Sequence, residues 1–259
     1  MLYTNYHTHT YRCKHADGTD EEYVIAAISM GFKEIAFTDH SPWPIHPFES
    51  DSIRMSVEQF PEYVKSIRSL QKKYAGKISI KLGLEAEYLE DRMDWMKQLA
   101  KEYQLDFLIF GNHFYQYMMP ERYFGRYSKK ENLLENYLEY SIKGLETGMF
   151  KIFAHPDIFM KSYQEWDVES ERISRLICKK AKEMNVLLEF NLGGVRAGMF
   201  SPSYYPYHAF WEIAKEEGCQ AVIGIDAHNP NDFFDKSIFA EARQILDEIG
   251  IEVLDEVML

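Results

Sequence analysis

NYHTHTYRCKHADG, residues 5–18, carries three histidines, His7, His9 and His15, within nine positions. The run LYTNYH (2–7) that leads into it reads as a β-strand. On a strand, side chains two positions apart point to the same face. The imidazoles of His7 and His9 can therefore reach one ion. His15 falls in the loop that follows.

Six further runs of the same kind follow: EIAFTD (34–39), ISIKLGLEA (78–86), DFLIFGN (106–112), FKIFAH (150–155), VLLEFN (186–191) and AVIGID (221–226). A last run, GIEVLDEV (250–257), reads as an eighth strand or a terminal appendage. The stretches between them read as helices. Thr19 with Glu22, Ser56 with Gln59, and Ser128 with Glu131 have capping-box spacing. Gly31, Gly148 and Gly218 suit helix stops. Strands alternating with helices imply a parallel sheet with helices outside, as a closed barrel or an open doubly wound sheet. No Gly-x-Gly-x-x-Gly or P-loop pattern follows the first strand, which weakens dinucleotide and nucleoside triphosphate readings.

The polar residues gather at the strand ends. They are His7 and His9; Asp39-His40; Glu85 and Glu87; Asn112-His113; His155 and Asp157; Glu189 and Asn191; Asp226 and His228. In parallel βα architectures ligands bind at the carboxyl ends of the strands. Seven of the nine histidines fall there or in the first loop beyond. Burying that many neutral imidazoles without partners is costly, so the pattern points to a metal centre. Imidazole with carboxylate suits zinc, manganese or iron better than calcium or magnesium. His46, in SPWPIHPF (41–48), is a candidate pocket residue, and His208 reads as surface or core edge. Cys13 is left out of the ligand set.

The formal net charge of -12 argues against a polynucleotide partner. The three cysteines are unclustered, and no run of about 18 apolar residues or leader-like N-terminus occurs. A cytoplasmic protein with no membrane partner is expected. Oligomeric state is left open.

His7-Thr8-His9, Thr38-Asp39-His40, GLEAEY (83–88), GNH ending at His113, HPD beginning at His155 and DAH ending at His228 resemble the motifs of the polymerase and histidinol phosphatase (PHP) superfamily. RCKHADG (12–18) and NLGGVRAG (191–198) are similar to its histidinol-phosphate phosphatase branch. The resemblance implies a distorted (β/α)7 TIM-like barrel, one domain over 1–259, with the metal site at the C-terminal ends of the strands. It implies three divalent metal ions, zinc, manganese or iron. His7, His9, Glu85 and Asp226 would hold the first, and Glu85 would bridge to a second bound by His113 and His155. His15, His40 and His228 would hold the third.

The expected activity is hydrolysis of a small phosphate monoester, L-histidinol phosphate, by water acidified between two cations. Glu85, Asp226 and Arg196 are the expected catalytic residues. Arg196 in GGVRAG offers a planar fork for phosphate, and Lys161 is a second candidate contact. The loops SPWPIHPFESDS (41–52) and YFGRYS (123–128) read as covers, with acidic groups for an amine. The alternatives are a phosphoesterase acting on nucleotides or oligonucleotides and a non-catalytic metal-binding protein.

Overall fold

A computed structural model describes residues 4–50, 52–127, 131–199 and 204–258. Its strands are β1 (Thr4–Asn5), β2 (Glu34–Phe37), β3 (Ser79–Ala86), β4 (Phe107–Gly111), β5 (Ile152–Ala154), β6 (Leu187–Asn191), β7 (Gln220–Gly224) and β8 (Glu252–Val253). They lie side by side in chain order, every pairing parallel. The helices are α1 (Asp20–Ser29), α2 (Phe60–Lys73), α3 (Met93–Glu102), α4 (Leu133–Glu146), α5 (Met160–Tyr163), α6 (Val168–Glu183), α7 (Leu192–Gly198), α8 (His208–Glu216) and α9 (Lys236–Ile249).

The sheet curls until β1 and β7 meet beyond their carboxyl ends. Thr8 and Ala227 form a parallel bridge there, and His9 N donates to Ala227 O at 2.9 Å. The run at 250–257 is thus an eighth strand, paired to β7 at the opposite end. Its tail reaches β1, where Val257 N donates to Tyr6 Oη at 2.9 Å. The barrel is distorted because seven strands close one end and the eighth fills the other.

β1 is shorter than its run. The Asn5 side chain takes the place of ladder bonds: Oδ1 accepts from Ile225 N (2.8 Å) while Nδ2 donates to His7 O (3.0 Å) and Thr8 Oγ1 (2.8 Å). This releases residues 6–9 from the sheet while holding them against β7. The capping box at Thr19 and Glu22 forms. At Ser56 only half forms: Gln59 accepts from Ser56 N at 2.9 Å, but α2 begins at Phe60, where Pro61 suits the first turn. Ser128 lies outside the described residues. Gly31, Gly148 and Gly218 follow their helices at φ 81°, 65° and 71°, the left-handed stop that costs glycine least.

Period-two alternation sorts the strand residues between two cores. Leu108, Phe110, Leu188 and Ile223 pack outward under the helices. Phe107, Ile109, Ile152, Leu187 and Val222 point inward and plug the barrel with Tyr6. Above that plug, at the carboxyl ends, the inward positions turn polar with Glu85 and Glu189. No helix of the described residues is long and apolar enough to cross a membrane.

Candidate metal centre

Two carboxylates at the top of the plug lean over glycines on the neighbouring strand. Glu85 pairs with Ile109, so Gly111 lies one inward position further; a Cβ there would be 2.5 Å from Glu85 Oε1. Glu189 pairs with Val222, and a Cβ on Gly224 would be 1.9 Å from Glu189 Oε1. Neither glycine needs its conformational freedom. Each supplies space for a carboxylate.

His7 Nε2 and His9 Nε2 lie 3.0 Å apart, as the i, i+2 spacing predicts. Each faces Asp226 Oδ1, at 3.4 and 3.2 Å, and Glu85 Oε2, at 3.5 Å. Four donors around one tetrahedral ion, with bonds of about 2.0–2.1 Å, would stand roughly 3.3 Å apart. The spacing fits. Glu85 Oε2 and Asp226 Oδ1 are also buried without a hydrogen bond among the described residues, a costly state for anionic oxygens unless a cation lies between them.

The other Glu85 oxygen, Oε1, faces His113 Nε2 at 3.2 Å and His155 Nε2 at 3.0 Å. One carboxylate is thereby shared between two groups of imidazoles. A third group stands at the mouth. His15 Nε2 and His228 Nε2 are 2.9 Å apart, and His40 joins them. His40 also places Nδ1 2.9 Å from Glu85 Oε2, so it stands between the groups. The inner groups are buried, whereas His15 is exposed.

The charges follow this geometry. Burial opposes ionisation of Glu85 and Asp226, but the surrounding imidazoles hold both well below the usual carboxylate range. Burial likewise opposes the His113 imidazolium, yet Glu85 and Glu87 push it up to about 10. Burial brings His40 down to about 4. His7 and His113 are pushed up by the carboxylates against burial, whereas His9 and His40 are pushed down, so a cation of higher charge suits a place where several imidazoles offer neutral lone pairs.

Outer partners aim the ring nitrogens. His7 Nδ1 bonds Glu189 Oε1 at 2.8 Å, and His113 Nδ1 bonds Glu87 Oε1 at 3.2 Å. His15 Nδ1 bonds Cys13 O at 2.6 Å, and His228 Nδ1 bonds Asp226 O at 3.0 Å. A proton on Nδ1 leaves the Nε2 lone pair for a cation. Glu87 is in turn gripped by buried Arg54, with Nη2 to Oε1 at 2.9 Å, and by Trp43 Nε1 at 2.7 Å. Sequence reasoning placed Glu87 and Glu189 at the rim but missed this role, because the histidine each meets comes from another strand.

Other rim residues point elsewhere. Asp39 accepts from Thr10 N and Oγ1, at 2.9 and 2.6 Å, and fixes the start of the His15 loop. Asp157 accepts from Tyr207 N at 2.6 Å. Cys13, which the sequence leaves out of the ligand set, has its Sγ near His9 and His228. Burial pushes its thiol up to about 12, away from the thiolate that binds metals. His46 is stacked on Phe48 rather than lining the pocket, and His208 is exposed beside Glu212.

A cavity of about 730 Å³ opens over the histidines. Phe114, Tyr123, Ile158 and Tyr205 give it aromatic and apolar walls, and Ser50 and Ser52 come from the 41–52 loop. Glu49 of that loop turns inward to His46 N, Met118 N and Arg92, so it is not offered to a ligand amine. Arg196 lines the cavity, with Nη2 donating to Ile225 O (2.7 Å) and Asp226 O (3.0 Å). Gly193 allows this approach, since a Cβ there would lie 2.9 Å from Asp226 Oδ2. Lys161 is not among the described lining residues; its ammonium sits over the Tyr205 ring, 5.9 Å from the centroid. Arg126, unforeseen as an individual residue, also lines the cavity.

Known proteins share this arrangement of chain. A probable histidinol-phosphatase from Deinococcus radiodurans is 28% identical over 249 residues, covering 94% of this chain and 92% of the relative. A histidinol-phosphatase from Bacillus subtilis is 28% identical over 251 residues, covering 87% of this chain and 93% of the relative. The fold matches a crystal structure of histidinol phosphate phosphatase from Lactococcus lactis, complexed with zinc, L-histidinol and phosphate. That match has a TM-score of 0.78 at 22% identity, over 98% of this chain and 95% of that one. The family model described as PHP domain matches residues 5–193, from the strand before His7 to the glycines before Arg196, and the chain belongs to that family.

Proposed function

We propose that the protein is a metal-dependent phosphatase that hydrolyses L-histidinol phosphate to L-histidinol and phosphate. The carrying observation is the Glu85 carboxylate, buried and shared between His7 and His9 on one side and His113 and His155 on the other. The metal assignment follows the groups described above. His7, His9, Glu85 and Asp226 would hold one divalent ion, Glu85 with His113 and His155 a second, and His15, His40 and His228 a third. Zinc, manganese and iron all suit these donors. When bound, such ions acidify water and neutralise phosphate charge.

The chain's own residues supply the rest. Arg196 is held by two backbone carbonyls at the end of β7, so its fork is fixed beside Asp226 for phosphate oxygens. Arg126 adds a second cation to the wall, in the place expected of Lys161. The aromatic walls exclude water and suit a planar ring. The cavity is sized for a small molecule, and the acidic balance disfavours a polynucleotide. The names of the relatives support the choice of substrate.

Phosphate release by metal-replete protein tests this reading, comparing L-histidinol phosphate, a nucleoside monophosphate and an aryl phosphate. A kcat/KM preference of about 100-fold or more for the first is expected, on the order of what hydrogen-bonded substrate groups contribute. Preference for the nucleotide would move the substrate to the nucleotide branch. Bound metal with no release from any ester would leave a metal-binding protein without this activity.

A further inference from the structure

Tyr123 presents to the cavity a phenol whose hydroxyl no described residue engages. The segment after β4 turns back on itself at this point. Phe114 and Tyr123 form an antiparallel bridge, and Phe124 N donates to His113 O at 2.8 Å. The Tyr123 ring is thereby held 6.2 Å from the His113 ring and 5.6 Å from the Phe114 ring. It lines the same cavity as His113 and His155. No hydrogen bond among the described residues engages its hydroxyl. The residue is half-buried and faces the cavity, so its hydroxyl is open to a ligand there.

Gly125 makes the placement possible. A Cβ on it would lie 2.7 Å from Tyr123 Cε1 and 2.8 Å from both Cζ and Oη. The phenol is folded across the one kind of residue that leaves room for it. Burial, with Glu85 and Asp226 nearby, raises its pKa above the ordinary phenol value, so the hydroxyl keeps its proton and can donate. Its neighbour His113 belongs, with Glu85 and His155, to a group suited to a cation. The part of a ligand that lies against a cation is its anion, whose oxygens accept hydrogen bonds.

We infer that the Tyr123 hydroxyl donates a hydrogen bond to a phosphate oxygen of the substrate, from the wall formed by residues 113–124. The inference rests on the phosphatase reading above and adds a catalytic residue to it.

The test uses metal-replete wild type, Tyr123→Phe, Gly125→Ala and the double variant. Inorganic phosphate serves as a competitive inhibitor, and alkyl and aryl phosphates as substrates. Tyr123→Phe is expected to keep its metal content and melting temperature. It should weaken phosphate inhibition and lower kcat/KM by about 10- to 100-fold, the effect of one hydrogen bond to a charged group. The loss should be equal for alkyl and aryl esters, because the bond is to the phosphoryl group they share. Gly125→Ala should mimic the loss by displacing the phenol, and the double variant should be no worse than Tyr123→Phe alone. Unchanged inhibition, additive losses, a loss confined to alkyl esters, or metal lost from Tyr123→Phe would each overturn the assignment. Wild type that neither binds phosphate nor hydrolyses any ester would sink the phosphatase reading itself. Normal wild-type turnover with an unaltered Tyr123→Phe would sink Tyr123 alone.

Discussion

Glu85 serves two groups of histidines because its oxygens diverge and Gly111 leaves the space for them. Glu85→Gln preserves the shape but replaces one oxygen with an amide nitrogen that cannot ligate. It is expected to lose bound metal and at least about 100-fold in activity; a fully metallated, active variant, by elemental analysis and assay, would remove the bridging role. Arg196→Ala is expected to retain metal while kcat/KM falls by about 10- to 100-fold, the weight of a charge-assisted contact. Unchanged kcat/KM across a series of phosphate esters would exclude that contact. Gly224→Ala tests the space beside Glu189, where the added carbon would meet Oε1 at 1.9 Å. Overpacking there should cost about 1–3 kcal/mol in thermal unfolding and loosen the His7 site. Spacing alone paired His7 with His9 and Asp226 with His228, whereas Glu85 entered as a strand-end carboxylate whose bridging role came from the resemblance. The roles of Glu87 and Glu189 were not legible, because their imidazole partners lie 26 and 182 residues away in the chain.

The elements that roof the centre are the loops after β2 and β4, and one carboxylate ties them. Glu49 accepts from His46 N (2.7 Å), Met118 N (3.1 Å) and Arg92 Nη2 (2.8 Å). Burial opposes its charge, but these donors hold its pKa below the ordinary 4.5. A depressed carboxylate stabilises the fold above its unfolded pKa. That contribution is lost as pH falls through the lower, folded value. Exchange of the His46 and Met118 amide protons should therefore accelerate on acidification below 4.5, and exchange insensitive to pH beyond the intrinsic rate would refute the tie. Glu49→Ala, which removes the buried partner of Arg92 and leaves it the exposed Asp91 at 3.6 Å, should cost about 3 kcal/mol at neutral pH. At this scale the sequence named the seven main strands, the helix stops and both covering loops. It overextended β1 and offered the acidic groups of the covering loops, of which Glu49 is one, to an amine, because neither the Asn5 side chain's substitution for ladder bonds nor the Arg92 partner can be seen in local pattern.

For the whole molecule, the open end of the barrel concentrates buried carboxylates and imidazoles above an apolar plug. Cations that bind this arrangement only when it is folded must stabilise it; metal at 100 times its Kd contributes about 2.7 kcal/mol. Chelator treatment is expected to lower the melting temperature and re-addition of metal to restore it. A melting temperature indifferent to both would speak against a metal centre built into the fold. The sequence by itself determined the alternation of strand and helix, the parallel sheet this implies, and the residue types delivered to each strand end. Periodicity and spacing are local, and local chemistry was enough to read them. Closure through Thr8 and Ala227, the division of Glu85 between two histidine groups, and the glycines that admit the carboxylates were decided only by the tertiary structure. Each depends on the register between strands distant in sequence, and that register is set by packing of the whole sheet. The three histidines of residues 5–18 follow the same division. Spacing paired His7 with His9, but only the folded barrel carries His15 to His228, 213 residues away.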